Sequence, residues 1–370
     1  MIKVRYAIVG CGSVSWNRYF KESNFQEVAS LGGELVAVCD TFEERARKPA
    51  VKYNVPYFLG LDEMLAKVDF DLLVNLTNVP SHYETSLKGL KAGRHVYTQK
   101  PMTVTVAEAN HLIEEAKTRN LKLISEDAGP LQPVHRTMIT LVKQGAIGKI
   151  TWIRSTCTHW GPAIIDNWPT DPAWFYQKGA GPLRDVGIER LQMITALLGP
   201  AKKVTAMSGI NQPEVVVRGG PNQGKRIETT EDDITLMILD FGDGIYAMLD
   251  SAWVNHRATL TPGMEIYGQK GVLSHVRGGG NKGSQYDFEL MLYRDEPALG
   301  IRGWEGVDAI PPVKFDPNPS IVGLAHAIEC IQEDKMPVLS GEFARHSIEI
   351  IEKAFISART GIAQTLETTF

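Results

Sequence analysis

The stretch "YAIVGCGSVSWNRYF" (residues 6–20) sets Gly10-x-Gly12-x-x-Ser15 between an apolar run and a helical pattern. In a strand, turn and helix of this kind, the first glycine permits the tight turn and the second lets the backbone approach a pyrophosphate. The third position requires a small side chain for helix packing, which serine provides less fully than glycine or alanine. The stretch therefore predicts a dinucleotide-binding unit at the start of the chain.

An acidic residue follows the second predicted strand. Asp40 ends "VAVCD", where a carboxylate can accept hydrogen bonds from both ribose hydroxyls of an adenosine. A 2′-phosphate would face that carboxylate and would meet no cation at Thr41 or Phe42, so NAD is favoured over NADP. The alternative, that Asp40 caps the helix predicted for "TFEERARK", does not exclude the cofactor role.

Short apolar runs alternate with helical patterns over residues 1–126. Five of these runs are typical of buried parallel strands: "VRYAIVG", "GELVAVCD", "FDLLVNLT", "RHVYTQK" and "LKLISED". Strand, helix and strand in repetition predict an α/β fold with a doubly wound parallel sheet, the Rossmann architecture. Residues 1–126 are therefore predicted to form an NAD-binding domain.

The remaining residues, 127–370, have a different pattern. Strands separated by Gly and Asp turns such as "FGDGI" predict an α+β domain with a large open, mostly antiparallel sheet. Two glycine-rich segments, "RGGPNQGK" and "RGGGNKGS", are interpreted as mobile loops because no helix follows either one. Two helices, "PSIVGLAHAIECIQEDK" and "GEFARHSIEIIEKAFISARTG", are predicted to close the chain.

Length, charge and cysteine spacing argue against several classes of protein. The 370 residues exceed what one hydrophobic core usually supports, so we expect two domains. A net charge of -4, from 39 basic and 43 acidic residues, gives no reason to expect nucleic acid or an anionic membrane as a partner. No apolar segment has the length of a membrane span, so we expect a cytoplasmic protein. The four cysteines and nine histidines lack metal-ligand spacing, so we expect reduced thiols and no metal.

The segment "LTNVPSHYETSLKGLKAGRHVYTQKPMT" (residues 76–103) is more specific. Its polar residues follow predicted strands at the carboxyl edge of the sheet, where such folds bind ligands. Pro101 favours an extended backbone at Lys100 and holds that lysine at the edge, over the expected nicotinamide position. The predicted cofactor-binding residues are Gly10, Gly12, Ser13, Val14, Asp40, Thr77, Asn78, Pro80, His82, Gln99 and Lys100.

These segments resemble the Gfo/Idh/MocA family of oxidoreductases nearly from end to end. "AGRHVYTQKP" is similar to the family's A-G-K-H-V-x-x-E-K-P, "VKQGAIGKI" to its G-x-I-G-x-I, and "GAGPLRDVGIERLQMITALLGP" to its G-G-G-x-L-x-D-x-G-x-H-x-x-D. Members generally pair a Rossmann domain with an antiparallel-sheet domain and oxidise or reduce sugars, polyols and their derivatives with a nicotinamide cofactor. The resemblance therefore implies the same two domains and the same class of chemistry, with residues 127–370 as the domain that binds substrate and supports oligomerisation.

The resemblance also assigns roles to individual residues. It implies that Lys100 is the catalytic lysine and that Asp185 is the substrate-site aspartate. Glu189 stands where many members carry a proton-transferring histidine. Two further departures are Gln99, in place of the usual glutamate before the lysine, and Gln192, in place of an aspartate.

Asp185 and Glu189 lie four residues apart, so a helix would place both carboxylates on one face. In a solvated surface turn, Arg184 and Arg190 would neutralise this pair. In alcohol oxidation a base takes the hydroxyl proton as hydride leaves the carbon, and a nearby cation stabilises the developing alkoxide. We therefore expect Lys100 to supply the charge and Glu189 to act as the base.

His159, in "CTHWG", is the alternative base, because histidine titrates near neutral pH without help. A packing or solvent-facing histidine before Trp160 is an interpretation of at least equal weight. Arg190 is interpreted either as orienting the substrate or as pairing with an acid, with equal weight for the two.

The aromatic-rich segment of residues 158–181 connects the strand that ends near His159 to the acid helix. It is predicted to form a stacking wall for a sugar ring or an aglycone, with polar side chains binding hydroxyls, although packing of the loop onto its domain is the alternative. The wall comprises Trp160, Trp168, Trp174, Phe175 and Tyr176, with Asp166 and Asn167 beside it. The predicted substrate-binding residues are Lys100, His159, Trp160, Asp166, Trp174, Asp185, Glu189 and Arg190.

The sequence thus predicts an NAD-dependent dehydrogenase that oxidises a ring hydroxyl of a sugar or glycoside, with C3 of a glucoside as a specific hypothesis. The chemistry requires the Lys100 amine and the Glu189 carboxylate to converge on the nicotinamide. One alternative is an enzyme that recycles tightly bound NAD between two sugars or through oxidation, elimination and reduction. Another is a nicotinamide-sensing regulatory protein without catalysis. The resemblance also implies a homo-oligomer formed through the open sheet.

Overall fold

The computed structural model describes residues 2–253, 263–275, 290–296, 301–307 and 321–370. No helix in these ranges is long and apolar enough to cross a lipid bilayer. All four cysteines lie in these ranges, and each is a buried thiol outside any disulfide, as the sequence predicts.

The chain divides into two compact units. The first contains residues 1–128 and 315–348, and the second contains residues 129–314 and 349–370. The single boundary that we predicted after residue 126 is therefore incomplete, because the chain returns to the first unit near its end. The physical reason is the apolar surface of the closing helices, which is partly buried in the core of the first unit.

The first unit is a six-stranded parallel sheet with strand order β3-β2-β1-β4-β5-β6. This order and the helices between the strands confirm the predicted Rossmann fold, although the short β3 had no counterpart in the prediction. The strands are β1 (Val4–Val9), β2 (Gly33–Cys39), β3 (Tyr57–Phe58), β4 (Leu72–Asn75), β5 (His95–Thr98) and β6 (Leu123–Ser125). The helices between them are α1 (Glu22–Ser30), α2 (Glu43–Tyr53), α3 (Leu61–Lys67), α4 (Val79–Lys91) and α5 (Val106–Thr118).

The second unit contains a nine-stranded sheet and a separate two-stranded hairpin. Its elements, in chain order, are α6 (Pro133–Lys143), β7 (Ile150–Thr158), α7 (Ile188–Leu198), β8 (Lys203–Gly209), β9 (Glu214–Val216), β10 (Arg226–Glu228), β11 (Ile234–Gly242), β12 (Ile245–Ala252), β13 (Met264–Gly268), β14 (Gly271–His275), β15 (Leu290–Glu296), β16 (Ile301–Val307) and β17 (Gln364–Thr365). The order of the large sheet is β16-β15-β14-β13-β7-β12-β11-β8-β17.

Most pairs in the large sheet are antiparallel, as predicted. The exception is β7 with β12, which run parallel in the middle of the sheet. The "FGDGI" hairpin forms between β11 and β12, where Asp243 and Gly244 have φ +53° and +73° as a tight hairpin turn requires. The segment "RGGGNKGS", predicted to be a mobile loop, lies outside the described residues.

The predicted closing helices are α8 (Val322–Gln332) and α9 (Gly341–Thr360). Ala344 and Ile348, in the first half of α9, are part of the buried core of the first unit. Ile351 and Phe355, in its second half, are part of the core of the second unit. The division between the units therefore falls inside one continuous helix.

Candidate active site

The two glycines of the turn after β1 have different surroundings. Gly10 has φ +90°, and a Cβ there would lie 2.5 Å from the backbone oxygen of Leu76, so only glycine fits. By contrast, no heavy atom of the described residues lies within 4 Å of the place where a Cβ on Gly12 would be. Ser15 is fully buried, and its hydroxyl donates to the Gly10 carbonyl oxygen at 2.5 Å. That bond satisfies the hydroxyl and explains how serine fits the motif.

The chain becomes helical at Ser13, immediately after the turn, and a π-helical turn follows over Ser15–Tyr19. The N–H groups of Ser13 and Val14 therefore stand in the first turn of a helical segment, a position that suits an anion. The helix predicted after the motif is divided, because α1 begins separately at Glu22. Contact of Ser13 and Val14 with the cofactor stays a prediction.

Asp40 holds the glycine turn in place through both of its carboxylate oxygens. Oδ2 accepts the N–H of Cys11 at 2.8 Å, and Oδ1 accepts the N–H of Phe42 at 2.9 Å. A carboxylate has about four lone-pair sites, so two main-chain bonds leave capacity for ribose hydroxyls. Asp40 does not cap α2, whose N-cap residue is Phe42. The sequence argument considered cations only at positions 41 and 42 and missed Arg45. Its guanidinium lies 4.5 Å from the centre of the exposed Phe42 ring.

Buried polar groups organise the loop after β4. The Asn75 Nδ2 donates to the His82 carbonyl at 3.0 Å, and its Oδ1 accepts from the Thr77 hydroxyl at 2.6 Å. The ring nitrogens of His82 lie 2.7 Å from the Pro101 carbonyl and 3.0 Å from the Thr77 carbonyl. Burial lowers the pKa of His82. His82 thus joins the loop after β4 to the loop after β5, and we expect it to hold these loops instead of touching the cofactor.

Gln99 and Lys100 directly follow β5. Gln99 is 8% exposed, and its backbone N–H donates to the Asn75 backbone carbonyl at 3.0 Å. Lys100 is half-buried. Asn78 and Pro80 are exposed at the start of α4. Because β1, β4 and β5 are adjacent and parallel, the residues that follow them lie along one edge of the sheet. The first unit therefore brings the predicted cofactor residues to that edge.

The acid pair lies on a continuous helical stretch of the second unit. Asp185 is in the π-helical turn Leu183–Gly187, Glu189 is in the first turn of α7, and both are half-buried. A Cβ on Gly187 would lie 2.8 Å from the Leu183 side chain and 3.0 Å from the Ser251 Oγ. Glycine therefore lets this stretch lie directly on β12. The helical spacing puts both carboxylates on one side of the stretch.

The arginines beside the acid pair do not form the solvated turn that we weighed against a catalytic role. Arg184 pairs with Glu231 at 3.0 Å, both side chains are 12% exposed, and its guanidinium lies 4.9 Å from the centre of the Phe355 ring. The Nε of Arg190 is buried and has no hydrogen-bond acceptor within the described part of the chain. Both interpretations of Arg190, orienting the substrate and pairing with an acid, stay predictions.

His159 follows β7, and its tautomer is restricted by the backbone. Its Nδ1 accepts the N–H of Gly161 at 3.0 Å, so a neutral ring carries its proton on Nε2. In that form Nε2 donates, and neither nitrogen can take a proton without a change in this arrangement. The geometry therefore favours His159 as a hydrogen-bond donor, and the role of Glu189 as the base stays a prediction.

The aromatic segment is partly packed and partly exposed. Trp174 is 36% exposed and stacks on Phe175 with ring centres 3.7 Å apart. Phe175 belongs to a small core that the hairpin β9–β10 completes. Asp166 pairs with Arg218 at 3.3 Å, and the Arg218 guanidinium lies 5.9 Å from the centre of the Trp160 ring. Sequence reasoning missed Arg218.

The segment "RGGPNQGK", which we predicted to be a mobile loop, connects two strands and is bonded at both of its ends. It begins with Arg218, whose N–H donates to the Ala163 carbonyl at 2.8 Å, and it ends with Lys225, whose amine pairs with Asp171 at 2.5 Å. The strands β9 and β10 flank it on either side. Backbone bonds and ion pairs therefore anchor this glycine-rich connection at both ends, while most of its residues are exposed.

The edge of the first sheet fits a dinucleotide. The open space at Gly12 is where a pyrophosphate approaches the turn in this fold, and the Asp40 carboxylate retains acceptor capacity on the adenosine side. Lys100 stands on the opposite half of the sheet, beside β5. The fold thus places an anion site, a ribose acceptor and a cation along the carboxyl edge of the first sheet.

Two sequence models of known families match this chain. The model described as "Oxidoreductase family, NAD-binding Rossmann fold" matches residues 4–126, and the model described as "GFO/IDH/MocA C-terminal domain" matches residues 135–274. Together they cover more than half of the chain and both of its units.

Individual relatives are distant but extend over the whole chain. D-apiose dehydrogenase from Paraburkholderia graminis is 22% identical over 96% of this chain and 88% of its own length. The structure of a levoglucosan dehydrogenase in complex with NADH and levoglucosan has a TM-score of 0.81 at 18% identity, covering 99% of this chain and 100% of that one. An aldose-aldose oxidoreductase from Caulobacter crescentus has a TM-score of 0.76 at 22% identity, covering 98% and 100%.

Proposed function

The chain belongs to the GFO/IDH/MocA family of oxidoreductases with an NAD-binding Rossmann fold, and from that premise we propose that it oxidises a ring hydroxyl of a sugar or glycoside to a ketone. The observation that carries the proposal is the half-buried Lys100 at the carboxyl edge of the NAD-binding sheet. The similarity to D-apiose dehydrogenase and to levoglucosan dehydrogenase supports a sugar as the substrate class. C3 of a glucoside is the specific carbon that we propose.

The chain's own residues divide the work of the reaction. NAD, when bound, accepts the hydride. The Lys100 ammonium stabilises the alkoxide that develops on the substrate oxygen, and Glu189 takes the hydroxyl proton. Asp185 orients the sugar by accepting from a neighbouring hydroxyl, and His159 donates from Nε2. This scheme requires Lys100 and Glu189 to meet at one substrate.

The aromatic segment supplies the substrate-binding surface in this proposal. The exposed face of Trp174 and the Trp160 ring suit the apolar face of a sugar or an aglycone. The pair of Asp166 and Arg218 is exposed, with side-chain exposures of 64% and 55%, so either partner can exchange its ion pair for hydroxyl groups. A mouth of this kind favours a glycoside over a small open-chain polyol.

A panel of glucosides, free sugars and inositols, each with NAD⁺, tests the proposal by the appearance of reduced nicotinamide absorbance. NMR analysis of the ketone product identifies the oxidised carbon. Lys100→Ala and Glu189→Gln are expected to lower kcat/KM by about 100-fold or more, because each removes a charge or base used in the transition state. The exposed residues Lys117 and Glu114 give matched controls, Lys117→Ala and Glu114→Gln, which should keep full activity.

Full activity in both active-site variants would refute the assigned roles. Cofactor that stays in the purified protein, with turnover between two sugars but no net NADH, would instead favour the enzyme that recycles tightly bound NAD. The similarity to an aldose-aldose oxidoreductase is the reason to test for this alternative. NAD binding without turnover on any substrate would favour a regulatory protein.

We also propose that the protein is a homo-oligomer that associates through the outer face of the large sheet. A row of aromatic and apolar side chains crosses six strands there in cross-strand register. The row consists of Tyr246, Trp152, Tyr267, Val272, Tyr293 and Trp304. Trp152 stacks on Tyr267 with ring centres 4.5 Å apart, and Tyr246 and Trp304 are 48% and 50% exposed. Monomers rarely leave a contiguous apolar patch of this extent in water, and a second copy presents a face of matching chemistry.

Analytical ultracentrifugation tests the assembly. Trp152→Glu combined with Ile238→Glu, where Ile238 is 53% exposed on β11, should lower the sedimenting mass toward that of one chain. Val51→Glu is the matched control, because Val51 is 75% exposed on α2 of the first unit and should leave the mass unchanged. A wild-type protein that sediments as one chain would refute the proposal.

A further inference from the structure

The chain turns sharply after β7, between His159 and the 3₁₀ turn Pro162–Ile164. Gly161 stands in this turn with φ +81°, in the left-handed region that favours glycine. A Cβ on Gly161 would lie 2.6 Å from the Tyr176 hydroxyl oxygen and 3.1 Å from both Cβ and Cγ of Trp253. The backbone of Gly161 is therefore seated in a notch between these two side chains.

Tyr176 forms one wall of the notch and also bonds to the turn. Its hydroxyl oxygen accepts the backbone N–H of Ala163 at 3.0 Å, and Ala163 is fully buried. Burial raises the pKa of Tyr176 to about 12, so its hydroxyl is neutral at physiological pH. A buried N–H that loses its acceptor is costly, so this bond ties the turn to the aromatic segment.

Trp253 forms the other wall, at the end of β12. It is 2% exposed, and its ring centre lies 5.2 Å from that of Tyr176 and 6.1 Å from that of His159. Its backbone N–H donates to the Asp233 carbonyl at 2.9 Å. Both carboxylate oxygens of Asp233 accept backbone N–H groups of the segment before β9, each at 2.7 Å. The notch is thus held by backbone bonds of its own.

The seated turn decides how His159 is presented. The Gly161 N–H donates to Nδ1 of His159 at 3.0 Å, and the His159 N–H donates to the Ala252 carbonyl at 2.9 Å. A backbone N–H can only donate, so a proton on Nδ1 would face the proton of Gly161. As long as the turn keeps its place, Nδ1 stays unprotonated and the ring proton lies on Nε2.

We propose that Tyr176 and Trp253 are positioning residues that fix His159 in the Nε2–H tautomer, because they hold the Gly161 N–H against Nδ1. His159 then offers a donor, not a base, to a substrate oxygen. The tautomer follows from the fold of the second unit, whereas its use on a sugar oxygen rests on the proposed function. Removal of the hydroxyl proton falls to another group, which in the proposed reaction is Glu189.

The proposal also gives Tyr176 a role different from the predicted stacking wall. Its side chain is 2% exposed, so it offers no open face to a sugar ring. Trp174, two residues earlier in the chain, is 36% exposed and keeps such a face. The aromatic segment therefore divides between a surface that substrate can touch and a layer that supports the turn after β7.

NMR of protein labelled with ¹⁵N-histidine, without cofactor or sugar, tests the tautomer, because protonated and unprotonated ring nitrogens resonate in separate ranges. The signals of His159 are those that disappear in His159→Gln. In the wild type, we expect its Nδ1 signal in the unprotonated range and its Nε2 signal in the protonated range. Tyr176→Phe should move the Nδ1 signal toward the protonated range, because the turn loses its bond to the aromatic segment.

Two further variants act on the same turn by other means. Gly161→Ala should move the Nδ1 signal in the same direction, because its methyl group cannot share the notch with the Tyr176 hydroxyl. Trp253→Leu removes the other wall and should have the same effect. Circular dichroism melting shows which variants are folded, so these two test the proposal if Tyr176→Phe does not fold.

Tyr53→Phe is the matched control. It removes a tyrosine hydroxyl of the first unit that donates to the Phe20 carbonyl at 2.8 Å, and it should leave the His159 signals unchanged.

Kinetics connect the tautomer to the reaction. On a sugar that the wild type oxidises, Tyr176→Phe should lower kcat/KM by about 3- to 10-fold, the loss expected for one misdirected hydrogen bond. The KM for NAD⁺ should stay within about twofold, because the change lies in the second unit. A wild-type kcat/KM despite a changed tautomer would overturn the use of His159 as a donor.

Two NMR results would overturn the positioning role. The first is a wild-type protein with the proton of His159 on Nδ1. The second is a set of folded notch variants, Tyr176→Phe, Gly161→Ala and Trp253→Leu, whose His159 signals match the wild type. Since the NMR measurement needs no substrate, a protein that oxidises no sugar would refute the proposed function and leave the tautomer result intact.

Discussion

Adding one methyl group to each glycine of the first turn should give opposite results. In Gly10→Ala the new Cβ would lie 2.5 Å from the Leu76 oxygen, 2.6 Å from the Leu76 carbonyl carbon and 2.8 Å from the Thr77 nitrogen. All three atoms are backbone atoms and cannot rotate away. The φ of +90° is unfavourable for any residue with a Cβ.

The magnitude follows from these two effects. A positive φ costs about 1–2 kcal/mol for alanine, and an overpacked site costs about 1–3 kcal/mol, so Gly10→Ala should lose about 2–5 kcal/mol of unfolding free energy. At roughly 2–4 °C for each kcal/mol in a domain of 150–250 residues, the melting temperature should fall by roughly 4–20 °C.

Gly12→Ala should leave stability unchanged and reduce cofactor affinity. No atom of the described residues stands near the new methyl group, so we expect a melting temperature within about 2 °C of the wild type. The methyl group takes the space through which a pyrophosphate approaches the turn, and NAD⁺ should bind at least about 10-fold more weakly, a change of about 1.4 kcal/mol.

Circular dichroism melting and NAD⁺ titration calorimetry, run on both variants, separate the two effects. A Gly10→Ala protein that melts with the wild type would refute the steric argument. A Gly12→Ala protein with wild-type affinity would show that the pyrophosphate does not use this turn.

Three further substitutions probe other elements. Gly187→Ala should cost about 1–3 kcal/mol and lower activity, because the methyl group pushes the acid helix away from β12; an unchanged melting temperature and kcat/KM would contradict this. Burial lowers the pKa of His82, so the folded state favours the neutral ring, and the stability this contributes is present above about pH 6.5 and lost as the pH falls below it. His82→Gln should therefore reduce the drop in melting temperature between pH 7 and pH 5, and an equal drop would count against this role. Thr105→Ala should cost about 1 kcal/mol in urea unfolding, because the Thr105 hydroxyl and the Glu108 carboxylate form a capping box at the start of α5; no shift in the midpoint would show that the cap is dispensable.

The two sheets illustrate what local pattern predicts well. Apolar runs and turn residues identify β1, β2, β4, β5 and β6 within a residue or two, because each strand buries both faces and interrupts its pattern at glycine or a polar residue. The parallel pairing of β7 with β12 escaped prediction. The periodicity of a strand's sequence is the same whether its partner runs parallel or antiparallel. The direction of a partner about 90 residues away therefore cannot be predicted from that periodicity.

Individual residues show the same limit. In the surface-turn alternative Arg184 would neutralise the acid pair beside it, but it pairs with Glu231 and packs against Phe355. Helical spacing specifies which neighbours share a face, but it does not specify which distant partner faces an arginine after folding. The positions of Arg218 and Glu126 are further cases, since the segments that contain them, "RGGPNQGK" and "LKLISED", do not indicate their distant partners.

The sequence by itself determined the doubly wound fold, the glycine turn, the acid after β2 and the lysine after β5, because each depends on residues close together in the chain. Only the tertiary structure decided which buried groups meet. Tyr19 and Glu126 stand 107 positions apart, and their hydrogen bonds exist because β1, β4, β5 and β6 align at one edge of a sheet. Polar partners in a core are selected by the geometry of packed elements, and that geometry depends on the whole chain.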